Sequence, residues 1–332
     1  MPRPIMLGVV GDSAAGKTTI TRGLVRILGE EMVTAVATDD YHCYDRKQRA
    51  QRSITPLNPD CNYMDIMDQH LQHLRKGEAI LKPVYVHSDG TLGQPEYVDP
   101  KPFTVVEGLL GYYSESLRTS YDVRVYLAPP EELRRKWKVQ RDTSRRGYTT
   151  NQVLAELDKR EADSAEFIRP QERHADMVVS FQPPTNGATA LDVEVILRDG
   201  LPHPDLSPFT GDGDSGITLE ERGSERYLEV PGQMDPKVAT QIQEAIWEKL
   251  HFATHLRSER LGEYTIGTDL QRSESLALVQ LLILYHLVTA KASIALGGVS
   301  PRADAEEAKD EPGTAEQGES QAAQEEEQPV AG

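Results

Sequence analysis

Residues 11–18 read GDSAAGKT, and this octapeptide restricts the fold more than any other stretch of the chain. Four residues separate Gly11 from Gly16, and Lys17 and Thr18 follow directly. A short apolar run, Ile5–Val10, precedes it, and apolar residues recur at helical spacing from Thr18 to Leu28. A buried strand, a glycine-containing loop and a helix in this order are typical of a phosphate-binding loop. A glycine-rich turn that matches by chance would lack these flanks.

The predicted loop therefore forms a nucleotide triphosphate site with Mg²⁺. Successive backbone N–H groups and the positive end of the helix bind polyphosphate. Gly16 permits close approach, Lys17 reaches the β- and γ-phosphates, and the Thr18 hydroxyl is a ligand for the metal. The nucleotide-binding residues predicted here are Gly11, Asp12, Ser13, Ala14, Ala15, Gly16, Lys17, Thr18 and Thr19.

Strands and helices alternate along the first 200 residues. Strands are predicted at Ile5–Val10, Val33–Ala37, Phe103–Val106, Val123–Leu127, Met177–Phe181 and Val193–Leu197, and helices at Thr18–Leu28, Met64–Leu74, Glu131–Arg145 and Thr150–Ala165. This alternation favours an α/β fold with a mainly parallel sheet flanked by helices. We expect a core over residues 1–200, a smaller α+β extension packed on it over 201–300, and a disordered tail over 301–332. In the extension, a strand is predicted at Tyr227–Val230 and helices at Val238–Leu250 and Ser275–Ala292.

The net charge of the chain is −17, which argues against a protein that binds nucleic acid through a basic face. From Arg302 onward ten acidic residues face only two basic ones, and the segment has no aromatic residue. Such a segment cannot bury enough apolar surface to fold. It is either a solubilising extension, which we favour, or an acidic docking segment.

Three features favour a soluble cytoplasmic protein. The N-terminus has no cleavable signal pattern. The longest apolar stretch, Leu276–Ala290, is too short for a membrane span and contains Gln280 and His286, so we expect a buried helix. Cys43 and Cys61 are too few for a disulfide framework and are interpreted as ordinary thiols.

Two acidic residues lie at the predicted ends of strands. Asp39 follows Val33–Ala37 in the stretch TDDYHCYDRK, and Glu107 follows Phe103–Val106. Ligands of open α/β sheets bind beyond the carboxyl ends of the strands, so both carboxylates should face the phosphate loop. The stretch TDDYHCYDRK is then either a solvated turn or one wall of an active site.

A predicted helix carries a basic cluster in the stretch KWKVQRDTSRRGY. Lys138, Arg141 and Arg145 share one helix face, and Arg146 follows. A solvated basic face is the ordinary interpretation of this spacing. In an acidic chain, however, the cluster can also bind a phosphate or neutralise a transition state. With His42, Arg46 and Lys47 it suggests an anionic acceptor.

Taken together, these motifs resemble the phosphoribulokinases, a family that shares a branch of P-loop kinases with the uridine kinases. The resemblance covers residues 5–181 and rests on GVVGDSAAGKTT, TDDYHCYDRKQR, ITPLNPDCNYMD, KPVYVH, VVEGL, WKVQRDTSRRGY and IRPQERHADMVV, in the order of the family. It implies ATP-dependent phosphorylation of ribulose 5-phosphate at its 1-hydroxyl and an assembly of at least two subunits.

The resemblance also implies roles for individual residues. Asp39 resembles the general base, and Lys138 and Arg141 resemble the pair that steadies the transferred phosphoryl group and the acceptor. Glu107 and Asp142 are similar to acids that serve metal binding or catalysis, with Thr18 and Glu107 as the metal ligands. The residues that resemble contacts to the sugar phosphate are His42, Arg46, His87, Arg141 and Arg146. Asp40 is assigned no more than a cap of the turn.

Some positions depart from the family. Ala15 and Ala37 replace redox cysteines of plant and cyanobacterial relatives, so disulfide control through that pair is excluded. Leu110 replaces a histidine beside the Glu107 strand end.

Two other functions stay open at this stage. A kinase of the same branch with uridine, another sugar or a vitamin as acceptor would gain little from the basic cluster. A nucleotide-binding regulatory protein without catalysis would be expected to lack Asp39, Lys17 or Glu107, and all three are present.

Overall fold

The structure, a computed structural model, describes residues 2–184, 190–210, 216–250 and 256–298, without the side chains of Arg145 and Arg146. The predicted acidic tail lies outside the described residues. The helices are α1 (Lys17–Leu28), α2 (Arg46–Arg52), α3 (Met64–Lys76), α4 (Glu115–Thr119), α5 (Glu131–Arg146), α6 (Thr150–Asp163), α7 (Pro236–Glu248) and α8 (Glu274–Ala295).

The strands are β1 (Ile5–Gly11), β2 (Val33–Ala37), β3 (Ile80–Lys82), β4 (Tyr85–Val86), β5 (Thr91–Leu92), β6 (Glu96–Val98), β7 (Phe103–Gly108), β8 (Val123–Leu127), β9 (Met177–Gln182), β10 (Asp192–Arg198), β11 (Thr218–Arg222), β12 (Glu225–Val230), β13 (Glu263–Ile266) and β14 (Asp269–Arg272). Within the described residues, the main sheet has the order β11-β12-β10-β9-β8-β1-β7-β2. The five strands from β9 to β2 are parallel, and β10, β12 and β11 extend the sheet antiparallel.

Both faces of the central strands are covered. All seven residues of β1 are buried. Ile5, Leu7 and Val9 belong to one apolar cluster, while Met6 and Val10 belong to the cluster on the opposite face. A parallel sheet covered on both faces produces continuous apolar runs of this kind. The predicted α/β fold with a mainly parallel sheet flanked by helices is therefore confirmed.

Helix α8 packs in the larger of these two clusters and is apolar around its whole circumference. Its length and composition would suffice to cross a membrane, but 67% of its apolar window is buried inside the protein. The buried Gln280 accepts a hydrogen bond from the Gly262 N–H at 2.8 Å, and His286 contacts His203 at 3.0 Å. The helix has the buried environment that we expected for Leu276–Ala290.

Several details differ from the predicted elements. The helix predicted over Thr150–Ala165 ends at Asp163 and continues as a π-helical turn, Ser164–Ile168. The short helix α2 and the small two-stranded sheets β3–β6 and β4–β5 were not predicted, because these segments are too short to show a period. The division of the chain at residues 200 and 300 stays a prediction.

Asp122 lies at the amino end of β8 and holds three segments together. Its fully buried carboxylate accepts hydrogen bonds from Arg3 at 2.6 and 2.8 Å, from Arg75 at 3.3 Å and from the Met6 N–H at 2.9 Å. Burial raises the pKa of Asp122, but the two arginines and the Met6 N–H outweigh it and hold the pKa below its ordinary value.

We expect Asp122→Asn to lower the free energy of unfolding by about 1–3 kcal/mol, because buried donors lose a charged acceptor. Since the folded pKa is lowered, this contribution should be present at neutral pH and should fade as the pH falls through that pKa. Urea unfolding at neutral pH and at a pH well below 3.8, the ordinary pKa of an aspartate, measures both effects. Asp65→Asn, at an exposed position in α3, is the control and should change stability by no more than about 0.5 kcal/mol. Equal losses in the two variants would contradict the prediction.

Candidate active site

Three neighbouring parallel strands end at one edge of the sheet, and each delivers part of the site. Strand β1 leads into the phosphate loop. Strand β2 leads into a 3₁₀ turn, Thr38–Tyr41, which carries Asp39, and β7 carries Glu107 near its end. In the sheet register Glu107 lies between Val9 of β1 and Ala37 of β2. The expectation that both carboxylates face the phosphate loop therefore holds in the structure.

The phosphate loop has the backbone conformation that its glycines allow. Gly16 has φ 99° and Gly11 has φ 152°, and a Cβ on Gly11 would lie 2.5 Å from the Leu127 carbonyl oxygen. Ala14 also has a positive φ of 67°, which is uncommon for a residue other than glycine. The Lys17 ammonium donates to the carbonyls of Gly11 at 2.7 Å and Asp12 at 2.8 Å. The loop is thus closed by its own lysine at the N-terminus of α1.

Lys17 is half-buried beside three carboxylates. Burial lowers its pKa, while the negative charges of Asp39, Glu107 and Asp12 oppose the shift. The Lys17 ammonium keeps its charge in this position because opposite charges surround it. The site therefore concentrates one ammonium and three acids where a polyphosphate would bind.

Asp39 is ionised in this environment. Burial raises its pKa, but His42, His87, Lys17 and Arg141 outweigh burial, so that the pKa lies below its ordinary value. His87 Nε2 lies 3.7 Å from Asp39 Oδ2. An ionised carboxylate next to two imidazoles can accept a proton from a hydroxyl group of a bound acceptor.

Glu107 and Thr18 have the arrangement expected of metal ligands. The Thr18 hydroxyl donates to Glu107 Oε1 at 3.2 Å, and the buried Oε2 has no hydrogen-bond partner among the described residues. Burial raises the pKa of Glu107, although Lys17 opposes the shift. A hydroxyl and one carboxylate, completed by phosphate oxygens and water, match the ligands that Mg²⁺ takes in phosphoryl-transfer sites.

The stretch TDDYHCYDRK forms a wall of this site together with Tyr85 and Asn62. His42 Nδ1 lies 2.7 Å from Asn62 Oδ1, and the Asn62 amide donates to the carbonyls of Pro56 and Asn58, which fixes the ring. The ring of Tyr85 packs edge-on against His42 and His87, with centroid distances of 4.8 and 5.0 Å. Burial lowers the pKa of His42, and Asp39 opposes the shift.

Arg46 and Arg49 lie on α2, which begins within this stretch. Arg46 donates to the His87 carbonyl at 2.8 Å, and Arg49 donates to the Tyr85 hydroxyl while its guanidinium lies 4.9 Å from the ring centroid. Sequence analysis missed Tyr85, Asn62 and Arg49, although KPVYVH and ITPLNPDCNYMD contain the first two and Arg49 follows Arg46 by one helical turn.

Asp40 does not cap the turn, which has no side-chain cap, but joins two segments of the chain. Its Oδ1 accepts from the Tyr85 N–H at 3.0 Å, and its Oδ2 pairs with the buried ammonium of Lys82. The carboxylate thereby attaches the segment that carries Tyr85 and His87 to the turn that carries Asp39.

Helix α5 brings Arg141 to the same region, since its charge acts on Lys17 and Asp39. Lys138 Nζ lies 3.0 Å from Asp142 Oδ2, and Arg141 Nε donates to Asp142 Oδ1 at 2.8 Å. Burial is the largest influence on Lys138 and, with Arg141, lowers its pKa to about 8. Burial raises the pKa of Asp142, but Arg141 and Lys138 outweigh it. Asp142 thus orients both cations. The side chain of Arg146 lies outside the described residues.

Comparison with known proteins shows the family of the chain. The model of the phosphoribulokinase/uridine kinase family matches residues 6–187. A phosphoribulokinase of Synechocystis sp. is 40% identical over 69% of this chain and 69% of its own length. A chloroplastic phosphoribulokinase of Arabidopsis thaliana is 32% identical over 69% of this chain, which spans less than two thirds, 63%, of that relative. A uridine kinase of Brevibacillus brevis is 31% identical over 54% of this chain and 86% of its own length.

Among solved structures, the phosphoribulokinase from Rhodobacter spheroides has a TM-score of 0.55 and 18% identity, and the match covers 76% of this chain and 98% of that one. At this identity the likeness shows the fold. The family match covers more than half of the chain, from β1 through β9. The chain belongs to the phosphoribulokinase/uridine kinase family.

Proposed function

We propose that the protein transfers the γ-phosphoryl group of ATP to the 1-hydroxyl of ribulose 5-phosphate and gives ribulose 1,5-bisphosphate and ADP. The single observation that carries this proposal is the position of Asp39. Its ionised carboxylate is stabilised by the charges of His42, His87 and the phosphate-loop lysine, and His87 lies 3.7 Å away. The identity of the relatives named phosphoribulokinase supports the same acceptor.

In this mechanism Asp39 takes the proton of the acceptor hydroxyl while the hydroxyl oxygen of the acceptor attacks the γ-phosphorus. The bond between that phosphorus and the bridging oxygen of ADP breaks. Lys17, Lys138 and Arg141 stabilise the negative charge that develops on the transferred group. Mg²⁺, which we propose is held by Thr18 and Glu107, supplies charge neutralisation when bound.

The acceptor wall supports an anionic acceptor. We propose that His42, His87, Arg46 and Arg146 contact the 5-phosphate, with Arg141 between the two phosphates. A neutral nucleoside would give the arginines of this set no phosphate to pair with, whereas a sugar phosphate would. Arg49 and Asn62 hold the wall in place through Tyr85 and His42.

The acceptor is tested by the release of ADP from Mg-ATP with ribulose 5-phosphate, ribose 5-phosphate or uridine. We expect turnover with ribulose 5-phosphate at least a hundredfold faster than with the other two acceptors. Uridine, which lacks a phosphate, is the control for the cationic wall. Faster turnover with uridine would refute the proposed acceptor and assign the protein to the second activity of its family.

Replacement of the proposed base should separate chemistry from nucleotide binding. We expect Asp39→Asn to lower kcat by about 10²–10⁴-fold, because general-base catalysis is lost. The dissociation constant of Mg-ATP, measured by calorimetry, should change by less than about threefold, since the phosphate loop is intact. Asp89→Asn, exposed in the same wall region, is the control and should keep the wild-type kcat. A wild-type kcat for Asp39→Asn would remove Asp39 from the mechanism.

The lowered pKa of Lys138 predicts an alkaline limb in the pH profile. Since the cation exists below its pKa of about 8, kcat/KM should fall as the pH rises through that value. Lys138→Arg should shift the limb to higher pH, because a guanidinium stays charged. Lys136→Arg, at an exposed position of α5, should leave the limb in place. An identical limb in the wild type and Lys138→Arg would show that another group titrates.

A further inference from the structure

The carboxylate of Asp12 contacts three separate parts of the protein. It lies in the phosphate loop and is 7% exposed. Its Oδ1 accepts from the Ser13 N–H at 2.6 Å and lies 3.5 Å from the Arg134 guanidinium, while its Oδ2 accepts from the buried Ser164 hydroxyl. These partners lie in the loop, in α5 and at the end of α6.

Arg134 connects the loop to the helix that carries the basic cluster. Its side chain is 6% exposed, and its Nη1 also donates to the Ser13 carbonyl at 3.1 Å. Its other nitrogens donate to Glu131 at 2.8 Å. Lys138 follows Arg134 by four residues, so both lie on one face of α5. The distance between Lys138 and the phosphate loop therefore depends on the contact between Arg134 and the loop.

Ser164 begins the π-helical turn at the end of α6. Such turns are rare in proteins overall, but those that occur are often found at functional sites. The residue before it, Asp163, accepts a hydrogen bond from the Thr55 hydroxyl in the segment that follows α2. Two adjacent residues thus contact the phosphate loop and the acceptor side of the site.

A carboxylate in a phosphate-binding loop repels the ligand unless a cation neutralises it. Arg134 lies beside both Asp12 and Glu131, and Lys17 lies near Asp12, so these two cations offset the negative charge that Asp12 brings to the loop. The Asp12–Arg134 pair therefore acts by fixing the position of α5 relative to the loop. Lys17 and Lys138, in contrast, act through their charge.

We propose that Asp12 is a positioning residue for phosphoryl transfer: through Arg134 and Ser164 it fixes α5, and with it Lys138 and Arg141, at the distance from the phosphate loop that transfer needs. The proposal rests on the proposed kinase function. It predicts that loss of the Asp12 charge impairs the transfer step and spares nucleotide binding.

The first test compares Asp12→Asn and Ser164→Ala with the control Asp158→Asn, whose carboxylate pairs with Arg135 on the exposed side of α5. We expect kcat to fall about tenfold or more in the first two variants, since small misplacements of reacting groups are costly. The Mg-ATP dissociation constant should stay within about threefold. The double variant should be no slower than the slower single variant, because both act through one network.

A second readout does not depend on the acceptor. Trp137 of α5 lies beside the phosphate loop, since a Cβ on Gly16 would be 4.0 Å from its ring. The chain has two tryptophans, so in a Trp247→Phe background the emission reports on Trp137. Asp12→Asn should raise the acrylamide quenching constant of Trp137 at least twofold, and Asp158→Asn should leave it unchanged.

The two readouts distinguish the outcomes. Increased quenching with a lower kcat and intact Mg-ATP binding would support the positioning role. Unchanged quenching, or an unchanged kcat, would overturn it. If the wild type lacks activity with ribulose 5-phosphate, the proposed function fails, while the quenching experiment still tests the contact. Ser164→Ala, which keeps the Asp12–Arg134 ion pair, replaces Asp12→Asn if the latter does not fold.

Discussion

One half-buried ammonium group among three carboxylates organises this end of the molecule. Lys17 is held at the start of α1, and Asp12, Asp39 and Glu107 oppose the loss of its charge. These acids come from the phosphate loop, from the turn after β2 and from β7, so the cation draws three separate chain segments to one point. The three segments can meet because β1, β7 and β2 are neighbouring parallel strands, whose carboxyl ends lie at the same edge of the sheet.

The acceptor side is built differently, from hydrogen bonds and ring contacts between loops. His42, Tyr85 and His87 pack edge to face, and Asn62 fixes the first of these rings. Asp40 and Lys82 form a buried ion pair beneath them. A buried pair of this kind contributes little net stability but specifies one arrangement. The phosphate side is thus held together by the charges around Lys17, whereas the shape of the wall depends on a few polar contacts.

Sequence patterns predicted the sheet closely, because buried parallel strands give continuous apolar runs. Val33–Ala37 and Val123–Leu127 were predicted with the bounds that the structure shows. The same reasoning placed Asp39 and Glu107 at one edge, since strand ends are defined by those runs. The Asp40–Lys82 pair and the Asp12–Arg134–Ser164 network could not be predicted from local patterns. Lys82 is 42 residues from Asp40, and Arg134 and Ser164 are 122 and 152 residues from Asp12, so no local period encodes these contacts. The roles of the individual site residues stay predictions.

The segment between α3 and β7 forms two small sheets that are separate from the main one. This segment carries Tyr85 and His87 and joins the turn after β2 through Asp40, Lys82 and Arg46. Its sequence can therefore diverge without any change in strand order or in the phosphate loop. Under the proposed function, substitutions in this segment would change the choice of acceptor and leave the phosphate loop as it is.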